Sequence, residues 1–139
     1  MYQKIMVPVD LKYIEKLEKT LDLAADLAKL HGATVHYVTV AGRVPNRAAR
    51  SPEELESNLE AFAREQGESR GISTSSKTMH STDVTIELDD KLVQAQKDIG
   101  ADLVVMASHI PGVSDRLHLI SSNASDLARK IDCSIFIVR

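Results

Sequence analysis

The stretch "YQKIMVPVD", residues 2–10, decides the fold because it reads as a strand and a helix follows it directly. Its short apolar run, with a proline near the end, predicts a buried strand over residues 2–9. Over residues 13–31 the apolar side chains return at helical spacing, and Gly32 stands where a C-terminal cap belongs. A buried strand followed by an amphipathic helix is the first half of a βαβ unit.

The following segment repeats this order. "ATVHYVTV", residues 33–40, predicts a second strand. A helix follows at Ser51, where a Ser N-cap, a proline at the first helical position and Glu54 form a capping-box sequence. The helical pattern weakens at Gly67, where we expect the second helix to end.

The middle of the chain is less clearly patterned. The Ser/Thr-rich residues 71–83 predict a polar connector, and "VTIEL", residues 84–88, predicts the third strand. A third helix is marked by the spacing of Leu88, Leu92, Ala95 and Ile99 and ends at Gly100.

The last part returns to clear signals. "DLVVM", residues 102–106, predicts a fully buried fourth strand, and "SIFIV", residues 134–138, a fifth. Between them a fourth helix is marked by Ala124, Leu127, Ala128 and Ile131. Strands that alternate with helices imply right-handed βαβ crossovers, so we predict an α/β fold with a parallel sheet, in one domain over residues 1–139.

Composition excludes several function classes. The chain has 139 residues, a net charge of −3, 4% aromatic residues and no Trp, which disfavours a nucleic-acid partner. No apolar stretch approaches the roughly 20 residues of a membrane span, and no segment reads as a signal peptide. The single Cys133 cannot form an internal disulfide. We therefore expect a cytoplasmic protein.

The sequence resembles the universal stress protein family over nearly its whole length. The resemblance rests on "KIMVPVD", "GADLVVMASH", "SSNAS" and the ending "CSIFIVR", and it is strongest to the branch with a Ser-(His or Arg)-x-Pro loop. It implies a Rossmann-like fold of the adenine nucleotide alpha hydrolase type, with five parallel strands in the order 3-2-1-4-5 and helices on both faces. It also implies a homodimer through the last strand, formed by Ile135, Phe136, Ile137 and Val138.

Many members of that family bind ATP through a loop with the pattern Gly-x-x-Gly, nine residues, then Gly-Ser or Gly-Thr. Laid on this chain from Ala107, the three glycines fall on Ala107, Ile110 and Ile120. If the motif is anchored instead on "SSNAS", Ser121 and Ser122 replace Gly-Ser and the loop is one residue longer. Ile110 disfavours a left-handed backbone and precedes Pro111, which also lacks an amide donor. Every motif glycine is replaced, so the resemblance implies a degraded nucleotide loop.

Several residues nonetheless match positions where the family contacts nucleotide. They are Asp10, Val40, Ala107, His109, Ser121, Ser122 and Asn123. For Asp10 the alternatives are adenine contact and capping of the following helix, and for Ser121–Asn123 phosphate contact and helix capping. The arginines 43, 47 and 50 lie in a loop that either reaches an anion or is solvated.

Two functions follow from this resemblance. The first is a homodimeric stress-response module that regulates by binding, with a degraded nucleotide loop and no cofactor. The alternative is an ATP-binding member, with Mg²⁺, that senses nucleotide or performs slow hydrolysis or phosphotransfer. No catalytic base, nucleophile triad or metal-ligand spacing stands out in the sequence, so we predict no catalytic residue and no metal site.

Overall fold

The computed structural model describes residues 1–43, 49–108 and 124–139. They form five strands: β1 (Lys4–Pro8), β2 (Thr34–Ala41), β3 (Ser73–His80), β4 (Leu103–Ala107) and β5 (Ser134–Val138). The helices are α1 (Glu18–His31), α2 (Pro52–Arg70), α3 (Val84–Ile99) and α4 (Ala124–Lys130), with a 3-10 helix at Leu11–Lys16. All the strands pair in parallel in the order β3-β2-β1-β4-β5, so the predicted fold class and strand order are confirmed.

Helices cover both faces of this sheet. On β3 the Thr74 hydroxyl donates to the carbonyl of Ala63 in α2, whereas Lys77 lies 3.8 Å from Asp98 in α3. Because positions 74 and 77 point to opposite faces of a strand, α2 and α3 lie on opposite sides of the sheet. The central strand β1 is consequently buried between two helical layers, and Ile5, Met6 and Val7 are each 0% exposed.

Glycines follow the last residues of three helices, as the sequence predicted for Gly32 and Gly100 but not for Gly71. Gly32, Gly71 and Gly100 adopt left-handed φ angles of 66°, 66° and 74° at the C-termini of α1, α2 and α3. At the start of α2, the Ser51 hydroxyl accepts a hydrogen bond from the Glu54 amide, which confirms the predicted cap. The Glu54 carboxylate accepts from the amide of Arg50, one residue earlier than a capping box requires.

Two predicted segments around β3 are wrong. Residues 71–83 are not merely a connector, because Ser73–His80 form β3 and pair with β2 along its whole length. Residues 84–88 are the first turns of α3 rather than a strand, since the Asp83 side chain accepts from the Ile86 amide and caps a helix there. The third strand of the sheet therefore lies about ten residues earlier than predicted.

Two helix boundaries also differ from the prediction. The helix predicted over residues 13–31 is broken at Leu17, which separates the 3-10 helix from α1. The second helix does not end at Gly67 but continues to Arg70. Gly67 instead permits close packing: a Cβ there would lie 2.7 Å from the Thr74 hydroxyl oxygen and 3.1 Å from the carbonyl oxygen of Ile72.

Candidate functional site

The carboxyl ends of the strands meet at one edge of the sheet, which we call the carboxyl edge. The strand order reverses between β1 and β4, since β2 and β3 lie on one side of this boundary and β5 on the other. In open α/β sheets a ligand crevice forms at such a reversal. Three predicted site residues, Asp10, Val40 and Ala107, follow or end the strands there, so the fold brings them to the same edge.

Asp10 lies two residues after the end of β1 and is only 2% exposed. Its Oδ1 accepts a hydrogen bond from the Lys12 amide at 3.0 Å, and the Lys12 ammonium lies 3.7 Å from Oδ2. The capping alternative for Asp10 is therefore confirmed, because the side chain closes the N-terminus of the 3-10 helix. Its contact with adenine stays a prediction. The Asp10 carboxylate is held in place at this edge by the amide and the ammonium of Lys12.

Val40 and Ala107 bring backbone rather than side chains to the carboxyl edge. Val40 is 4% and Ala107 5% exposed, so both side chains pack in the protein interior. Ala107 pairs with Val138, and the next amide, that of Ser108, donates to the Val138 carbonyl at 2.8 Å. Replacement of glycine by Ala107 therefore places no exposed methyl group in the crevice.

The remaining predicted contacts cannot be placed. His109, Ser121, Ser122 and Asn123 lie outside the described residues, as does Arg47. The other two arginines of this loop, Arg43 and Arg50, are exposed. Arg50 uses its backbone amide to bind Glu54.

Sequence reasoning missed an acidic group at the end of β3. The Glu87 carboxylate accepts hydrogen bonds from the Ser81 hydroxyl at 2.6 Å, the Thr82 amide at 3.1 Å and the Asp83 amide at 3.2 Å. The Ser81 hydroxyl, followed by the backbone amide of Asp83, lowers the pKa of Glu87 to about 2. The "STDVTIE" stretch carries a capping signal, Asp83 followed by an acid in the first turns, that could have revealed it.

Gly42 brings β2 close to this acidic corner. A Cβ at Gly42 would lie 3.1 Å from Val84 Cγ2, so the residue after β2 packs tightly against the first turn of α3. On the β2–β3 side of the carboxyl edge, Gly42, Val84 and Glu87 thus join the ends of these strands to the start of α3.

The described ranges of the chain also limit other kinds of site. Within residues 1–43, 49–108 and 124–139, no three His, Cys, Asp or Glu side chains are placed to share a metal ion. No helix in those ranges is long and apolar enough to cross a membrane.

Comparison with known proteins gives one consistent family. Residues 1–139 match the family model described as the Universal stress protein family. Universal stress protein G of Shigella flexneri is 29% identical over 147 residues, an alignment that covers 100% of both chains.

Solved structures share the fold. The universal stress protein from Archaeoglobus fulgidus in complex with dAMP is 22% identical, with a TM-score of 0.68 over 99% of this chain and 98% of that one. A universal stress protein in complex with cAMP is 20% identical, with a TM-score of 0.66 over 99% and 97% of the two chains.

Proposed function

The chain belongs to the universal stress protein family, and from this premise we propose that it is a cytoplasmic, homodimeric stress-response module that regulates by binding. The observation that carries the proposal is the character of β5. This strand lies at the end of the sheet and pairs with β4, and it is apolar on both faces. An apolar edge strand left open invites association with another chain.

Exposure along β5 supports a second copy as its partner. Phe136 is 44% and Ile137 36% exposed, and Ile135 is partly exposed, whereas Val138 is buried against the rest of the chain. The opposite edge strand, β3, has the sequence STSSKTMH and is far more polar. The polar side chains of β3 are therefore compatible with exposure to water. The apolar side chains of β5 favour contact with another apolar surface, such as the same strand of a second copy.

The dimer is tested by Ile137→Asp. Light scattering on the purified protein should show a dimer for the wild type. It should show a monomer or aggregate for Ile137→Asp, because the new carboxylate would be buried in the interface. Ile86→Asp is the matched control, since Ile86 is 77% exposed on the first turn of α3, where an acid is tolerated. An unchanged dimer in Ile137→Asp would contradict the proposed interface.

A second candidate function is adenine-nucleotide binding at the carboxyl edge. Structural neighbours were solved with dAMP and cAMP, and here the same fold sets Asp10 and the backbone at Val40 and Ala107 around the strand-order reversal. The burial of Ala107 supports this candidate, because the residue exposes no side chain that would hinder a ligand at this edge. An adenine there would meet the backbone beside Val40 and the carboxylate of Asp10.

The phosphate end fits less well. The sequence replaces the second and third motif glycines by Ile110 and Ile120, and Pro111 removes one amide donor. We therefore expect the adenosine portion to contribute most of the affinity, and we expect ATP with Mg²⁺ to bind only slightly more tightly than AMP.

Calorimetric titration with ATP and Mg²⁺, and separately with AMP, tests this candidate. Binding of both nucleotides that is lost in Asp10→Ala would support it. As a second measurement, thermal unfolding should show stabilisation by about 2.7 kcal/mol at a hundredfold excess of ligand over its Kd. No heat at two temperatures, together with no thermal stabilisation at millimolar nucleotide, would contradict binding and leave β5 as the functional surface.

A further inference from the structure

The backbone groups of β5 alternate between β4 and the free edge, which is the side of β5 away from β4. The Val138 carbonyl accepts from the Ser108 amide, on the β4 side, at 2.8 Å. In a strand the N–H and C=O of one residue point to the same side, and those of its neighbours point to the other side. Those of Phe136 therefore also point to β4, whereas those of Ile135 and Ile137 point to the free edge.

The side chains of β5 alternate between the two faces of the sheet. The Tyr2 hydroxyl donates to the Ser134 hydroxyl at 3.0 Å, and the Tyr2 ring packs edge-on against His31 of α1, with 5.2 Å between the ring centroids. Ser134 is therefore on the face that α1 covers, and Phe136, two residues later, points to the same face. Ile135 and Ile137 point to the opposite face.

Symmetry restricts how the free edge can pair with its own copy. Two copies that join edge to edge across a two-fold axis perpendicular to the sheet run antiparallel, with their α1 faces on the same side. Residues that lie directly opposite each other in such a pair point to the same face. The axis must therefore pass through a residue and not between two residues, and the positions that pair most of β5 are Ile135, Phe136 and Ile137.

Of these positions, Phe136 uses the hydrogen-bonding groups of the free edge most fully. With the axis there, Ile135 of each copy lies opposite Ile137 of the other, and both pairs exchange N–H···O=C bonds in each direction. With the axis at Ile135 or Ile137, only one such pair lies within β5. The other isoleucine would then have to pair outside the strand, with residue 133 or residue 139.

The same register covers the exposed aromatic side chain of β5. Phe136 is 44% exposed, more than Ile137 at 36%. On the axis the two Phe136 residues form a non-hydrogen-bonded pair, in which the Cα atoms are about 4.5 Å apart and the side chains come closest. Aromatic pairs at such positions stabilise a sheet, so side-chain packing and backbone pairing favour the same register.

We infer that two copies pair through β5 in one register, with Phe136 on the two-fold axis. The two Phe136 rings meet on the α1 face, and Ile135 of each copy meets Ile137 of the other on the opposite face. This inference rests on the proposed dimer and names the contacts that hold it together.

Disulfide trapping in the full chain tests the register. Cys133→Ser first removes the native thiol, and Phe136→Cys, Ile135→Cys or Ile137→Cys then supplies a single new one. With oxidised glutathione, Phe136→Cys should form a covalent dimer, because its two Cα atoms would lie about 4.5 Å apart, within reach of a disulfide. Ile135→Cys and Ile137→Cys should not, since each would lie roughly 8–9 Å from the same residue of the other copy.

A mixed sample gives a second measurement. Ile135→Cys refolded together with Ile137→Cys should form a mixed disulfide, because these two positions face each other in the inferred register. This measurement decides the matter if Phe136→Cys weakens the dimer in light scattering. Ile86→Cys, on an exposed part of α3, is the control for disulfides formed by random collision.

The outcomes separate the register from the dimer itself. Faster formation of a covalent dimer by Ile135→Cys or Ile137→Cys than by Phe136→Cys would overturn the register and leave the β5 dimer standing. If the chain is dimeric in light scattering but no variant or mixture exceeds the Ile86→Cys control, the interface lies elsewhere and the inference is wrong. A monomeric wild type would overturn the proposed dimer and the register together.

Discussion

The Glu87 carboxylate accepts a 2.6 Å hydrogen bond from the Ser81 hydroxyl, and this contact joins the first turn of α3 to the residue that follows β3. Ser81 is itself fixed, since its amide donates to the Ala41 carbonyl at 2.9 Å. The end of β2, the end of β3 and the start of α3 are therefore linked through two adjacent hydrogen bonds.

We predict that Glu87 stabilises the fold only while it is ionised. Its pKa is lowered from 4.5 to about 2, so the folded state binds fewer protons than the unfolded state between these values. The contribution is fully present above about pH 4.5 and is lost as the pH falls through about 2. The difference in unfolding free energy between wild type and Glu87→Gln should shrink over this window in denaturant titrations.

The hydrogen-bond donor offers a control for that prediction. Ser81→Ala removes the largest cause of the lowered pKa, so the Glu87 carboxyl should titrate at a higher pH in this variant when followed by carbon NMR. A Glu87 titration unchanged by Ser81→Ala would show that the hydroxyl does not set the pKa.

Gly67→Ala should destabilise the protein although alanine favours helices. The added methyl would lie 2.7 Å from the Thr74 hydroxyl oxygen, and that hydroxyl is tied to the Ala63 carbonyl, while the Ile72 carbonyl at 3.1 Å is backbone. The clash should outweigh the roughly 1 kcal/mol gain in helix propensity and leave a net loss of about 1–2 kcal/mol in urea unfolding. Ser69→Ala, exposed on the same helix, should be nearly neutral, and a raised Tm for Gly67→Ala would contradict this packing.

The fold could be predicted from the sequence wherever a strand is central and apolar. β1 and β4 are buried on both faces, and their apolar runs are unmistakable. β3 was missed because its sequence lacks the apolar pattern of a buried strand, and Met79 is its one buried residue. As an edge strand it is held by its hydrogen bonds to β2. The "VTIEL" segment favours a strand by composition, but the Asp83 cap makes it helical.

The candidate site could likewise be predicted only where it adjoins correctly predicted strands. Asp10, Val40 and Ala107 could be assigned to one edge because they end or follow correctly predicted strands. Glu87 could not, since it was placed inside a strand that does not exist. The burial of the Ala107 methyl depends on its pairing with Val138 and on the layers around it, which a single sequence does not contain.

His36 on β2 should titrate below free histidine. Burial, and then the positive charge of Lys4, lower the pKa of His36 from 6.5. The folded state therefore prefers neutral His36, and its contribution to stability is present above about pH 6.5 and is lost as the pH falls through the folded pKa. Proton NMR of the ring in native protein and in urea checks this, and a native pKa at or above the unfolded value would contradict it.

The last prediction separates the structural role of Asp10 from any role in binding. Asp10→Ala removes the acceptor for the Lys12 amide and should cost about 1–2 kcal/mol of unfolding free energy, as loss of an N-cap does. Asp10→Asn keeps an acceptor at Oδ1 and loses only the charge beside the Lys12 ammonium, so it should cost less. Urea unfolding of both variants measures the difference. If Asp10→Asn costs as much as Asp10→Ala, the ion pair with Lys12 rather than the cap holds this edge together, and nucleotide titrations would then need Lys12→Gln as their structural control.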